Sequence, residues 1–297
     1  MLADYSSCCQ HAAQQAEISE LWPPTCASLR DPVLFSHMPF TLQKQDVQKV
    51  SLGNHHFYWL NAKAGHTLSL LMDIEGVNAI SACDRRLDFI HQGIKSLAPV
   101  CQQELAFIAD FISAWVWLSP AQKTANYGSA SFYEIPHVAF ISDAALFFIP
   151  PCHSLSRELG VIGLIENLYH EALHHQVHSY CAFKQPYYCK DNLDHNKLWF
   201  PYRTDRSFSY AQAFNACYVY GEIIRFRGKM AEYLAHIDNT APLSEAISSA
   251  RMMWLTLAGA LFAVKEAFLP PWQGLIETWY LQTQAESPQP LIVATDK

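Results

Sequence analysis

Ser156-Arg157-Glu158-Leu159-Gly160-Val161-Ile162-Gly163-Leu164-Ile165-Glu166-Asn167-Leu168-Tyr169-His170-Glu171-Ala172-Leu173-His174-His175-Gln176-Val177-His178-Ser179-Tyr180 is the stretch on which the fold turns. Ile162, Ile165, Tyr169, Leu173 and Val177 recur at three and four residues, the spacing of one face of an α-helix. Ser156 suits the N-cap, and Glu158 places a negative charge in the first turn, where the helix dipole favours it. The spacing therefore predicts a helix from about Ser156 to Tyr180. Within it, His170 and His174 stand four apart, so both imidazoles project from one face and can reach one ion. Glu171 sits between them in the chain. In zinc peptidases that glutamate is the general base for the attacking water. His178 extends the column by another turn, and His174/His178 is an alternative pair that lacks an intervening Glu. His175 and His178 otherwise read as helix-surface residues or as supports behind the ligands.

A third ligand is needed. The pattern HExxHxxGxxH would supply it locally, but Val177 and Tyr180 occupy the deciding positions. It must come from a later element, most simply the next long helix. There Glu222 is the best carboxylate, inside the apolar stretch Cys217–Ile224. A buried Glu needs a positive partner, and a divalent metal is one. The alternative is that Glu222 pairs with an arginine or faces solvent. Asn215, His195 and Asp194 are the reserve donors.

Outward from the His170 helix, Ser129 to Ser142 and Ala145 to Ile149 are rich in Phe, Tyr, Val and Ile and are closed by Pro150-Pro151, so they predict two short strands. Lys184 to Asp205 is a loop. A second long helix is expected from about Ser207 to Ala235 and a third from about Leu243 to Phe268, which Pro270-Pro271 stops. From Thr41 to about Leu118 the spacing is mostly helical, with Leu87, Ile90, Ile94 and Leu97 as one stripe and Leu105, Ile108, Phe111 and Ile112 as another. The apolar runs Ala106–Leu118 and Met252–Val264 read as buried helices, the latter too short to span a bilayer. These readings give a mainly α fold with a small β element (α+β), the HExxH helix packed against a second long helix. The expected organisation is an irregular lead-in over 1–40, a helical subdomain over 41–120, a metal-site domain over 121–284 packed on it, and a tail over 285–297.

Bulk properties narrow the function classes. The chain has 297 residues, 51% hydrophobic and 16% charged, with a net charge of −7. It can bury a large core, and nothing in it offers the clustered basic face that nucleic acid requires. The short run Arg225-Phe226-Arg227-Gly228-Lys229 is expected as a solvated helix end. Nine cysteines without a CxxC pair point away from a disulfide framework and towards reduced thiols in the cytoplasm. The N-terminus carries neither the positive nor the apolar region of a secretory signal, and no membrane partner is expected.

The loop Leu198-Trp199-Phe200-Pro201-Tyr202-Arg203-Thr204-Asp205-Arg206-Ser207-Phe208 runs into Asn215-Ala216-Cys217-Tyr218-Val219-Tyr220. Taken with His170-Glu171-x-x-His174, this order resembles the HExxH-type peptide β-hydroxylases, 2-oxoglutarate-dependent iron enzymes that modify ribosomally made peptides. The likeness spans roughly Phe140 to Phe226. Two departures stand out: the family's proline between Asp and Arg is missing, so Asp205 directly precedes Arg206, and Asn215 stands where members often carry His or Gln. The resemblance implies Fe(II) held by His170, His174 and Glu222, with 2-oxoglutarate held by Arg203 or Arg206. A guanidinium fork matches the far carboxylate of such a cosubstrate; the bland alternative for either arginine is a salt bridge. It also implies a peptide or protein substrate and leaves Glu171 beside the ligands as a tuning residue.

Two other readings share these residues. In a zinc metallopeptidase, Zn2+ polarises the carbonyl, Glu171 is the base, and His178, Tyr202 or Tyr218 stabilises the oxyanion. A non-catalytic interaction protein with a degenerate site would use the same low charge and high aromatic content as a binding surface. Ligand identity alone does not separate iron from zinc, and the sequence does not specify the oligomeric state.

Overall fold

The computed structural model describes residues 44–52, 55–71, 77–120, 128–132, 135–151, 153–184, 197–200, 203–235 and 241–286. The expected lead-in over 1–40, the residues beyond 286, and His195, Asp194, Pro201 and Tyr202 lie outside them. The fold is mainly α with a small mixed sheet, as expected. Its chain divides into two compact units. Among the described residues, one comprises 44–179 and 228–246; the other comprises 180–227 and 247–286.

The sheet of the first unit is built from β1 (Val47–Leu52), β2 (His55–Leu60), β3 (Val77–Ile80), β4 (Ala114–Pro120), β5 (Ser129–Phe132) and β6 (Ile135–Ser142). Its order is β1-β2-β4-β6-β5, with β3 pairing β4. β2 and β3 share one side of β4: β2 runs parallel to Ala114 and Trp115, while β3 runs antiparallel to Trp117–Pro120. β6 lies parallel on the other side.

Helix α1 (Ala62–Leu71) packs on this sheet, and Gly65 is what lets it approach: a Cβ there would lie 2.7 Å from Ala79 Cβ and 2.8 Å from Val116 Cγ1. Helix α2 (Asp84–Phe111) contains Pro99, which removes one intrahelical hydrogen bond, and its backbone leaves helical geometry at Cys101. Helix α3 (Gly160–Lys184) carries His170 and His174 and follows a 3-10 turn over Arg157–Leu159 whose N-cap is Ser156. Within its own unit the HExxH helix packs against α2, an earlier helix than the one from about Ser207 to Ala235 that the sequence put forward as its partner. Phe107 and Tyr169 meet edge to face with centroids 5.4 Å apart, and a Cβ on Gly93 would lie 2.3 Å from both Val161 methyls.

Residues 41–118 are divided between helix and strand. They hold four strands besides α1 and α2, and the run expected as one buried helix, Ala106–Leu118, breaks at Phe111 into helix and strand. Ala114 to Leu118 are all 2% exposed or less, because a central strand covered on both faces is continuously apolar and carries no period. The proposed boundary at 120/121 falls inside a single unit.

The second unit holds the antiparallel hairpin β9 (Lys197–Phe200) and β10 (Arg203–Ser209), in which Arg203 pairs with Phe200. β7 (Phe148–Ile149) and β8 (His153–Ser154) form a separate small hairpin in the first unit. Helices α4 (Tyr210–Leu234) and α5 (Ala241–Ala263) have residues in both units, and α6 (Pro270–Glu286) lies in the second. The helix expected to run to Phe268 and stop at Pro270-Pro271 ends at Ala263; the proline pair instead opens α6, where the missing N–H costs nothing because the first turn has no intrahelical acceptor for it. Around α6 the aromatics interlock. Phe214 meets Phe268, Trp272 and Trp279 at 5.2–5.8 Å. The Met252–Val264 run was expected to be too short to cross a bilayer. The helix extends further, and Leu243–Ala263 is long and apolar enough by length and composition, with half of the apolar window buried inside the protein.

The basic run at Arg225 is not a solvated helix end. It lies inside α4, with Phe226 2% and Arg227 0% exposed. Arg225 pairs with Glu222 three residues earlier, and Lys229 lies 2.5 Å from Glu104 on α2.

Candidate metal centre

His170 and His174 are brought together as the four-residue spacing predicts. Their Nε2 atoms lie 3.0 Å apart, the ring centroids are 4.7 Å apart, and both side chains are half-buried. Two nitrogens each about 2.1 Å from a shared ion would be roughly 3.0 Å apart at a right angle and roughly 3.4 Å apart at the tetrahedral angle. The observed separation fits two imidazoles on one ion and is nearer the right angle. Without an ion, the same spacing suits an N–H of one ring donating to the bare nitrogen of the other.

Glu171 faces elsewhere. It is 2% exposed, and Ser129 Oγ on β5 donates to its Oε1 at 2.6 Å. Burial raises its carboxyl to about 7, against the pull of hydrogen bonds from Ser129 and Ser131. Ser129 Oγ also lies 3.0 Å from Asn167 Oδ1. Asn167 Nδ2 in turn reaches the carbonyls of Ala145, Phe148 and Gly163 at 2.8–3.2 Å. Asn167 thus fastens α3 to the turn after β6 and holds the acceptor beside Ser129. Sequence reasoning passed over Asn167, Ser129 and Ser131. The available signals were an Asn one helical turn before Glu171 and two serines two apart in a strand, which share a face.

His175 is not a surface residue. It is 1% exposed, and its Nε2 lies 3.0 Å from the carbonyl oxygen of Val138 on β6. Behind it stands His137, a non-glycine residue at φ 65 whose Nδ1 lies 3.0 Å from the Phe111 carbonyl. These two imidazoles satisfy backbone groups in the core. The side chain of His178 lies outside the described residues.

The other expected site residues belong to the second unit. Glu222 is 4% exposed and ion-paired with Arg225, so its need for a positive partner is met on its own helix, the alternative weighed from the sequence. Asn215 is buried on the same helix. Arg203 opens β10 and Arg206 lies within it; their side chains lie outside the described residues. Among the described residues, no group of three or more His, Cys, Asp or Glu side chains is gathered to hold a metal ion. No family model matches this chain, and no curated protein matches it.

Proposed function

We propose that this chain is an Fe(II)/2-oxoglutarate-dependent oxygenase that hydroxylates a peptide side chain. The observation that carries the reading is the 3.0 Å separation of the His170 and His174 Nε2 atoms, close to that of two ligands at right angles on one ion. His170 and His174 would hold the metal; the resemblance supplies Arg203 or Arg206 as the cation for the far carboxylate of 2-oxoglutarate, and Glu222, which the resemblance implies as third donor, is engaged by Arg225. Iron with 2-oxoglutarate supplies oxidising power sufficient to replace a C–H bond by C–OH. α3 sets the orientation of the two imidazoles: His175 and Glu171 anchor the flanking helix face to β6 and β5. Glu171 holds this position through the serine hydroxyls rather than as a base.

One observation favours the zinc peptidase as a second reading. A carboxyl near 7 is matched to general base work at neutral pH. Its engagement by Ser129 and Ser131 counts the other way.

The test is anaerobic titration of the full-length protein with Fe(II) and 2-oxoglutarate. The oxygenase reading expects the weak visible charge-transfer band of a chelated oxo acid, lost in His170→Ala and weakened in whichever of Arg203→Ala and Arg206→Ala removes the carboxylate partner. Tightly bound zinc, with no band and no 2-oxoglutarate binding, would hand the site to the peptidase.

A further inference from the structure

Helix α3 presents its side chains to the sheet in angular order. At about 100° per residue, His175, Glu171, His174 and His170 fall at successive angles around the helix, each roughly 40–60° beyond the last. His175 bonds to β6, and Glu171 bonds to β5, the last strand of the sheet. His174 and His170 continue the same rotation, on the side of Glu171 away from His175 and its β6 contact. Asn167, one turn earlier, meets the same Ser129 of β5.

That edge has main-chain groups to offer. Ser142 N donates to Gly128 O at 2.9 Å, and the register runs Ser129 to Ile141, Ala130 to Phe140 and Ser131 to Ala139. In an antiparallel ladder, bonded and non-bonded pairs alternate. Gly128 and Ala130 therefore bond inward to β6, and the N–H and C=O of Ser129 and Ser131 turn outward. Among the described residues, no strand pairs with that edge. A row of donors and acceptors at strand spacing is complementary to one thing, an extended backbone.

We propose that the outer edge of β5 is the docking strand for an extended peptide, which adds to the sheet through Ser129 and Ser131 and so lies alongside His170 and His174. This rests on the metal-site reading above and names how its peptide substrate is held. Main-chain pairing fixes the depth and direction of the peptide and leaves its side chains free to alternate towards and away from the helix. The serines then serve both partners, their hydroxyls holding Glu171 and their amides holding the peptide.

The test uses the full-length protein loaded anaerobically with Fe(II) and exposed to a library of end-capped random decapeptides, with retained peptides read by mass spectrometry. Ser131→Pro deletes an outward N–H without touching the β5–β6 ladder; Ser131→Ala keeps that N–H and removes only the hydroxyl. Wild type and Ser131→Ala should retain peptides, and Ser131→Pro should retain about tenfold less at unchanged iron content, the worth of roughly one main-chain hydrogen bond. In wild type, amide exchange at Ser129 and Ser131 should slow on peptide addition, a readout that stands if the proline variant fails to fold. Equal retention by Ser131→Pro with unchanged exchange would place the peptide elsewhere and overturn the edge proposal. So would retention of no peptide by iron-loaded wild type. Failure of wild type to take up iron would overturn the metal reading beneath it.

Discussion

Glu171 shows how one residue is set by its surroundings. Burial raises its carboxyl from 4.5 to about 7, so the folded protein holds a proton that the unfolded chain releases. The stabilisation from this group is complete below pH 4.5 and is lost as pH rises through about 7, on the order of 3 kcal/mol over the window. In chelator-treated protein, urea unfolding midpoints should therefore fall between pH 4.5 and 7 more steeply in wild type than in Glu171→Gln; identical slopes would remove the buried carboxylic acid from the account. The His170/His174 pair was legible in the sequence because a helix turns a four-residue spacing into a shared face. The partners of Glu171 were not. Ser129 and Ser131 lie about forty residues away, and their hydroxyls matter only once β5 is laid beside α3. Glu222 was legible as a buried acid, but the choice between a metal and Arg225 as its counter-charge lay in rotamers that spacing does not encode.

At the scale of elements, α2 and α3 were readable by their 3.6-residue stripes, and their close crossing was not. Gly93 makes it: a Cβ there would sit 2.3 Å from both Val161 methyls. At an open helical position Gly→Ala stabilises by roughly 1 kcal/mol through propensity. Here the overlap reverses the sign, and Gly93→Ala should lose about 1–3 kcal/mol. Most of that should return in the Gly93→Ala/Val161→Ala double variant, followed by chemical denaturation; an additive double variant would show that the two residues do not meet. The strands before residue 120 escaped for two different reasons. β4 is apolar on both faces and so has no alternation. β1 and β2 are separated by Gly53-Asn54, a two-residue hairpin signal that a reading by helical spacing does not register. Pro270-Pro271 illustrates a third ambiguity, since proline ends one helix and suits the first turn of the next.

At the scale of the whole molecule, a ligand that binds only the folded state raises its stability by an amount set by occupancy, about 2.7 kcal/mol at a hundredfold excess over Kd. Anaerobic Fe(II) at that excess should raise the thermal midpoint of the full-length protein by several degrees, and His170→Ala should abolish the shift. A shift that survives in His170→Ala would mean that the ion is held elsewhere. The division of the chain into units lay beyond sequence reading. Among the described residues its boundaries fall within α3, α4 and α5, and composition marks linkers, not points inside helices. What the sequence determined by itself was local: that the long apolar stripes lie on helices, and that two imidazoles share a face. These follow from the period of the backbone, which each segment carries alone. Tertiary structure alone decided which strand is central, that Glu171 meets two serines, that His175 serves the core, and that Glu222 is paired. Apart from the Glu222–Arg225 pair, whose members are three residues apart on one helix, each of those depends on groups far apart in sequence, and only burial brings them within hydrogen-bonding reach.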